Sequence, residues 1–244
     1  WLVDTGRFAE GRALLERLRD QAIAQFGADH PNVADRRFRL AQAWLASGGL
    51  VQAEAELRAA MSSQDATEAV FGSPKHRAQL VLIALWVAQG RFAEAEPLAD
   101  SLQRGAAKSE RADQYRETLV NLHIAVARTW AGLGRHADAQ PHFVRSIDLL
   151  HAANPAHAWL AEIRAHYAAS LQARGEAAAA CDQLALARAA LADQPLAGPQ
   201  FRQVVQAQAS QAGCAAGGRS AAVSGSGAAI RLSRQDTHLG RRPP

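Results

Sequence analysis

The chain has 244 residues, with 27 Lys and Arg against 23 Asp and Glu, a formal net charge of +4. No apolar run reaches the 18 or so residues that a membrane helix needs. The basic pI of 9.7 does not indicate a nucleic-acid surface: residues 211–244 hold five arginines against one aspartate, residues 1–210 sum to zero, and nucleic-acid binding needs a basic stripe on the folded part.

Taken in order, the chain reads as helical hairpins. Residues 1–5 read as the end of one helix and residues 7–25 as its partner, with Leu14, Leu15 and Leu18 as its buried face. Asp29-His30-Pro31-Asn32 is a linker, since proline and asparagine stop one helix and start the next. Helices are expected over 33–47 and 50–62, then a polar loop from Ser63 to Gly72. Ser73-Pro74 has the form of a helix start, a capping serine with proline in the first helical position. Helices over 74–89 and 92–104 follow, and Gly105 to Ala112 reads as a loop. Pro97 and Pro141 fall close to helix starts, where a missing N–H costs less than in mid-helix. Further helices are expected over 114–132, 136–151, 156–174 and 177–192, with Pro155 opening the fifth unit. Pro195 to Pro199 is a break, and Phe201 to Gln211 reads as a short helix capping the open end. From about Gln211 the periodicity vanishes into Gly, Ala, Ser and Arg, which reads as a disordered tail or a frame-shifted stretch.

These hairpins repeat. Gly90-Arg91-Phe92-Ala93-Glu94-Ala95-Glu96-Pro97 has counterparts opening at Gly6, Gly48, Gly134 and Gly175, spaced 42, 42, 44 and 41 residues apart. A fixed period of that size marks a stacked repeat. Four residues before each glycine stands Leu2, Trp44, Trp86, Trp130 or Leu171, and four before that Leu40, Leu82, Val126 or Tyr167. Positions i and i+4 share one helix face, so these tryptophans read as core. After the glycines, Ala53/Leu57/Ala60, Ala95/Ala99/Leu102, Ala139/Phe143/Ser146 and Ala180/Leu184/Ala187 repeat at i, i+4, i+7, a second amphipathic helix. One hairpin cannot bury its stripe alone, whereas stacked neighbours bury it continuously as a solenoid.

The Gly-Arg-Phe-Ala-Glu-Ala-Glu-Pro turn and the linker Phe26-Gly27-Ala28-Asp29-His30-Pro31 resemble the tetratricopeptide repeat (TPR), in the longer form found in kinesin light chains and many bacterial proteins. Gly11 and Ala177 depart from the usual alanine and aromatic, and the fourth repeat has no proline linker. The resemblance covers roughly residues 1–192. It implies an all-α fold, a right-handed superhelical solenoid of about five helix-turn-helix repeats with the first truncated. Residues 193–210 would be a break and capping helix, and 211–244 the tail. It further implies a scaffold or sensor that binds a partner peptide or protein segment in its concave groove, with no catalysis, no cofactor and no metal.

The sequence contains no phosphate loop, HExxH zinc site, Gly-x-Ser-x-Gly elbow or kinase catalytic loop. The nine histidines are scattered: His136 and His142, and His151 and His157, stand six apart, which is not a same-face spacing, so they read as surface residues. Glu94, Glu96 and Asp100 read as a solvated helix face. Cys181 and Cys214 fit no metal spacing and read as idle thiols, not as a disulfide.

In TPR proteins the first helix of each repeat lines the inner surface. Helical phase then turns Asp35, Arg39, Gln42, Arg77, Asn121, Arg128, Glu162 and His166 inward. The arginines of that set suit the carboxylates of an extended peptide. The competing reading is that they are solvated, or paired with Asp35 and Glu162. Because Trp1 falls inside a repeat helix, the chain is expected to be a fragment of a larger, bacterial protein. The alternative function is therefore the C-terminal regulatory region of a bacterial serine/threonine kinase or transcription regulator. The expected location is cytoplasmic, and no nucleic acid is expected as a partner.

Overall fold

The computed structural model describes residues 8–62, 73–108, 115–192, 194 and 199–214. They form ten helices: α1 (Phe8–Phe26), α2 (Pro31–Ala46), α3 (Leu50–Met61), α4 (Pro74–Ala88), α5 (Phe92–Lys108), α6 (Arg116–Gly132), α7 (His136–Ala153), α8 (Trp159–Ala173), α9 (Ala177–Ala192) and α10 (Pro199–Gln211). Among the described residues there is no strand, and no helix is long and apolar enough to cross a membrane. Residues 1–7, 63–72 and 215–244, which include the expected first helix, long polar loop and most of the tail, lie outside the described residues. So does most of the expected break, at 195–198.

The packing is a one-dimensional stack. Helices α2/α3, α4/α5, α6/α7 and α8/α9 pair as hairpins, and the first helices also pack on one another, α2 on α4, α4 on α6 and α6 on α8. The chain thus forms a solenoid of helix-turn-helix repeats. Both stripes read from the sequence are buried: Leu40, Leu82, Val126 and Tyr167 on the first helices, and Leu57, Leu102, Phe143 and Leu184 on the second. Trp86 is buried, and Trp44 and Trp130 are half-buried.

Helix starts follow local chemistry. The Ser73 hydroxyl accepts from the His76 backbone N–H at 3.3 Å, and Pro74 lies in the first turn, where an absent donor goes unmissed. His30 caps α2 by accepting from the Asn32 N–H at 3.1 Å. Each hairpin turns at a left-handed glycine, with φ of 79° at Gly48, 74° at Gly90, 78° at Gly134 and 80° at Gly175. The N–H after the glycine reaches back five residues, from Arg91 to the Trp86 carbonyl at 2.8 Å and from Arg135 to the Trp130 carbonyl at 2.8 Å. That bond satisfies a carbonyl that the helix end leaves open.

The arginine after the glycine also ties successive repeats together. Arg91 stacks over Trp86 of its own repeat at 5.6 Å and donates to Glu54 of the preceding repeat at 2.7 Å. Arg135 stacks over Trp130 at 4.6 Å and donates to Glu96 at 2.7 Å. Glu96 therefore belongs to a junction between repeats and not to a solvated face, whereas Glu94 pairs with Arg91 at the surface.

Several sequence expectations are corrected. Cys181 and Cys214 form a disulfide; their separation in sequence conceals that the fold brings their Cα atoms to 5.5 Å. Helix α5 continues through Gly105 to Lys108, because burying Ala106 one turn after Leu102 offsets the ~1 kcal/mol that a helical glycine costs. Pro97 and Pro141 are the sixth residues of α5 and α7, past the first turn, so each forgoes one helical hydrogen bond. Leu14 is 42% exposed and Leu15 and Leu18 are half-buried, since α1 packs mainly on α2 and reaches α3 through the Arg19–Glu56 ion pair. The fifth hairpin starts at Trp159, after a turn over 155–158.

Helix α10 is more than a cap. It packs on both α8 and α9, as the first helix of another repeat would. Val205 and Ala209 are buried, and they stand eight and four residues before Gly213, whose φ is 67°. The Cys214 N–H then reaches the Ala209 carbonyl at 3.0 Å, the same five-residue turn. Among the described residues α10 thus has the form of the first helix of a further repeat.

Candidate functional site

One cavity of about 470 Å³ runs along the inner face. Every residue lining it belongs to a first helix, α2, α4, α6 or α8. That follows from the stack, because second helices face outward while first helices adjoin one another. Of the eight residues that helical phase turned inward, Gln42, Arg77, Asn121, Arg128, Glu162 and His166 line this cavity. Asp35 and Arg39 lie apart from it, and Asp35 borders a separate recess between α1 and α2.

The polar residues form two clusters. Asp35 accepts from Arg39 at 2.8 Å and lies 3.8 Å from Arg77, whose guanidinium also covers the Phe38 ring at 5.5 Å. Across the cavity, Glu162 lies 3.7 Å from His166 and 4.0 Å from Arg128. His166, then Arg128, holds the Glu162 carboxyl below the usual carboxylate range against the opposing effect of burial. Burial lowers the Arg128 pKa, and Glu162 only partly opposes this. Both readings of these arginines thus have geometry behind them: each has an acidic neighbour, and that of Arg128 is at the limit of ion-pair distance.

The sequence reading named only polar residues here and missed the floor. Leu80, Val81, Ala84 and Ile124 line the cavity, with Trp159, which is 36% exposed. One signal was available: Trp159, like Trp1, lies outside the stripe at eight and four residues before the glycine, so the repeat's core packing does not account for it. A cleft with an apolar floor and a few polar groups at its rim suits a side-chain-bearing ligand.

A second polar feature lies between the helices of a hairpin. Three hairpins carry a pair of residues 19 apart: Arg37 with Glu56 at 3.1 Å, His123 with His142 at 2.9 Å between their Nδ1 atoms, and Arg164 with Gln183 at 2.8 Å. His142 is 9% exposed and meets the Trp130 ring edge-on at 4.9 Å. His142 is therefore an interior residue and His123 a half-buried one, contrary to the surface reading. Burial first, then the charges of His142 and Arg145, lowers the His123 pKa to about 4, and burial lowers that of His142. Among the described residues, no group of three or more His, Cys, Asp or Glu is placed to hold a metal ion.

Fold and site together define a class, a TPR-like repeat solenoid whose first helices line an amphipathic cavity. No protein-family model matches the chain, and no curated protein matches it. Among solved structures, the kinesin-light-chain-type TPR-like repeats of Podosopora anserina align with 80% of this chain and 92% of theirs, at TM-score 0.60 and 21% identity. A single-residue variant of that protein aligns over 78% and 90%, at TM-score 0.62 and 22% identity. A structure of MamA (MSR-1) aligns more loosely, at TM-score 0.47 and 17% identity. At these identities the likeness establishes the TPR-like fold.

Proposed function

We propose that this chain is a non-catalytic protein-interaction module that takes an extended segment of a partner protein along the cavity of its first helices. The observation that carries the reading is Arg128, half-buried beside an apolar floor with its acidic neighbour 4.0 Å away. A guanidinium so placed gains from a closer carboxylate, since charge-assisted pairs shorten and strengthen away from water. The favoured segment carries an apolar side chain for the floor and an acidic residue for Arg128, with Arg77 at the opposite side as a second site for an acid.

The test is selection of peptides from a random display library on the whole chain, followed by titration of the selected peptides using Trp159 fluorescence. Acidic residues next to apolar ones are expected among the binders. Arg128→Glu is expected to weaken them by roughly tenfold or more, the scale of one lost charge contact. Unchanged affinity in a variant with unaltered circular dichroism would refute the groove assignment.

A further inference from the structure

We propose that the Cys181–Cys214 disulfide is a redox latch that holds α10 against α8 and α9, and that its reduction frees α10 and uncovers the face of the α8–α9 hairpin beneath it.

The two cysteines fall in the register of the repeat junctions. Counting from the turn glycines, Glu54 is six residues after Gly48 and Arg91 one after Gly90; Glu96 is six after Gly90 and Arg135 one after Gly134. Both couples are ion pairs between successive repeats, at 2.7 Å each. Cys181 is six after Gly175 and Cys214 one after Gly213. The only two cysteines of the chain thus occupy the two positions that hold neighbouring repeats together, and there a covalent bond replaces the salt bridge.

The latch has consequence because α10 is otherwise held weakly. Its buried residues are Val205 and Ala209, with Phe201 and Val204 partly buried against the same cluster. Arg202 adds hydrogen bonds to the Leu191 and Gln194 carbonyls. Eight of its thirteen residues are glutamine, alanine or serine, which bring little apolar area. Both cysteines are half-buried, so a thiolate has a path to the bond. Opening it takes two electrons and two protons from a dithiol: the Sγ–Sγ bond breaks, Cys181 and Cys214 become thiols, and the dithiol closes to its own disulfide. What is uncovered is the face of α8 and α9 that α10 covers, next to Leu171, Leu184 and Leu191 of the same core cluster.

Hydrogen exchange of the full chain, air-oxidised and dithiothreitol-reduced, tests the proposal, with thiols counted by alkylation. In the oxidised chain both cysteines should resist alkylation. On reduction the amides of α10 are expected to lose protection by roughly a hundredfold or more, the scale at which closing a loop of this length acts, while α4 to α7 keep theirs. A double variant, Cys181→Glu with Cys214→Arg, should recover part of that protection and lose its response to dithiothreitol. Free thiols in the oxidised chain, unchanged α10 protection after full reduction, or loss of protection spread over the whole stack would each overturn the latch.

Discussion

Lowering the pH from 7 to 5 is expected to weaken this solenoid chiefly through one half-buried imidazole. Burial, and then the charges of His142 and Arg145, hold His123 at about 4 in the folded chain, against an ordinary value of 6.5. Between those values the unfolded chain binds a proton that the folded chain refuses. Stability is therefore complete above 6.5, falls as pH falls, and levels out only below about 4. At pH 5 the unfolded imidazole is almost fully protonated and the folded one almost neutral, a difference of about 2 kcal/mol. His142, also lowered by burial, acts in the same direction. Urea unfolding of the wild type and of His123→Gln at pH 7 and pH 5 isolates the effect, because carboxylates and the remaining histidines are common to both. The wild type should lose about 2 kcal/mol more than the variant over that interval. Equal losses would mean that the histidine pair takes up its proton without opening, and the burial argument would fail.

Three further outcomes are expected. Phe143, 1% exposed and stacked on Tyr167 at 5.5 Å, joins two hairpins, so Phe143→Ala should cost about 3–5 kcal/mol in thermal or urea unfolding; a loss under about 1 kcal/mol would mean a loosely packed core. At Gly90 an added Cβ meets nothing within 4 Å, so Gly90→Ala isolates the price of a left-handed backbone, about 1–2 kcal/mol, and a neutral result would show that the turn relaxes. Glu54 is held at about 2 by hydrogen bonds from Arg91, Trp86 and Arg58; its contribution is present above about 4.5 and lost as pH falls toward 2, and Glu54→Gln should flatten that part of the acid-unfolding curve, by roughly 1 kcal/mol after solvent screening.

The repeats were legible because the stack imposes one rule at every junction. A left-handed turn needs glycine, and the residues four and eight positions earlier must fill the same layer, so Trp86 and Leu82 announce themselves as Trp130 and Val126 do. The polar set expected to face inward came from the TPR resemblance and the same phase, and six of its eight residues line the cavity while Asp35 and Arg39 do not. What escaped were features that depend on position across the stack. Gly213 lies 38 residues after Gly175, with Ala209 where a large side chain usually stands, so the last half-repeat looked like a detached cap. The disulfide needed that register to be visible, since Cys181 and Cys214 are neighbours only once α10 is docked. His123 and His142 are 19 residues apart, a separation that means nothing until the two helices of a hairpin are laid side by side. The apolar floor was missed because Leu80 and Ile124 carry no polar signal in the sequence; they line a cavity only once the first helices are laid side by side.

Each helix packs on helices no more than two places away along the chain. Such a chain has low contact order: no pairing requires distant segments to meet before they are rewarded, so the entropy of closing large loops never enters. Any hairpin can form first and its neighbours can add to it, and loss of structure should begin at an end and travel inward. The central hairpins, flanked on both sides, should therefore be the last to exchange their amides, and the cavity they line should outlast the ends of the stack.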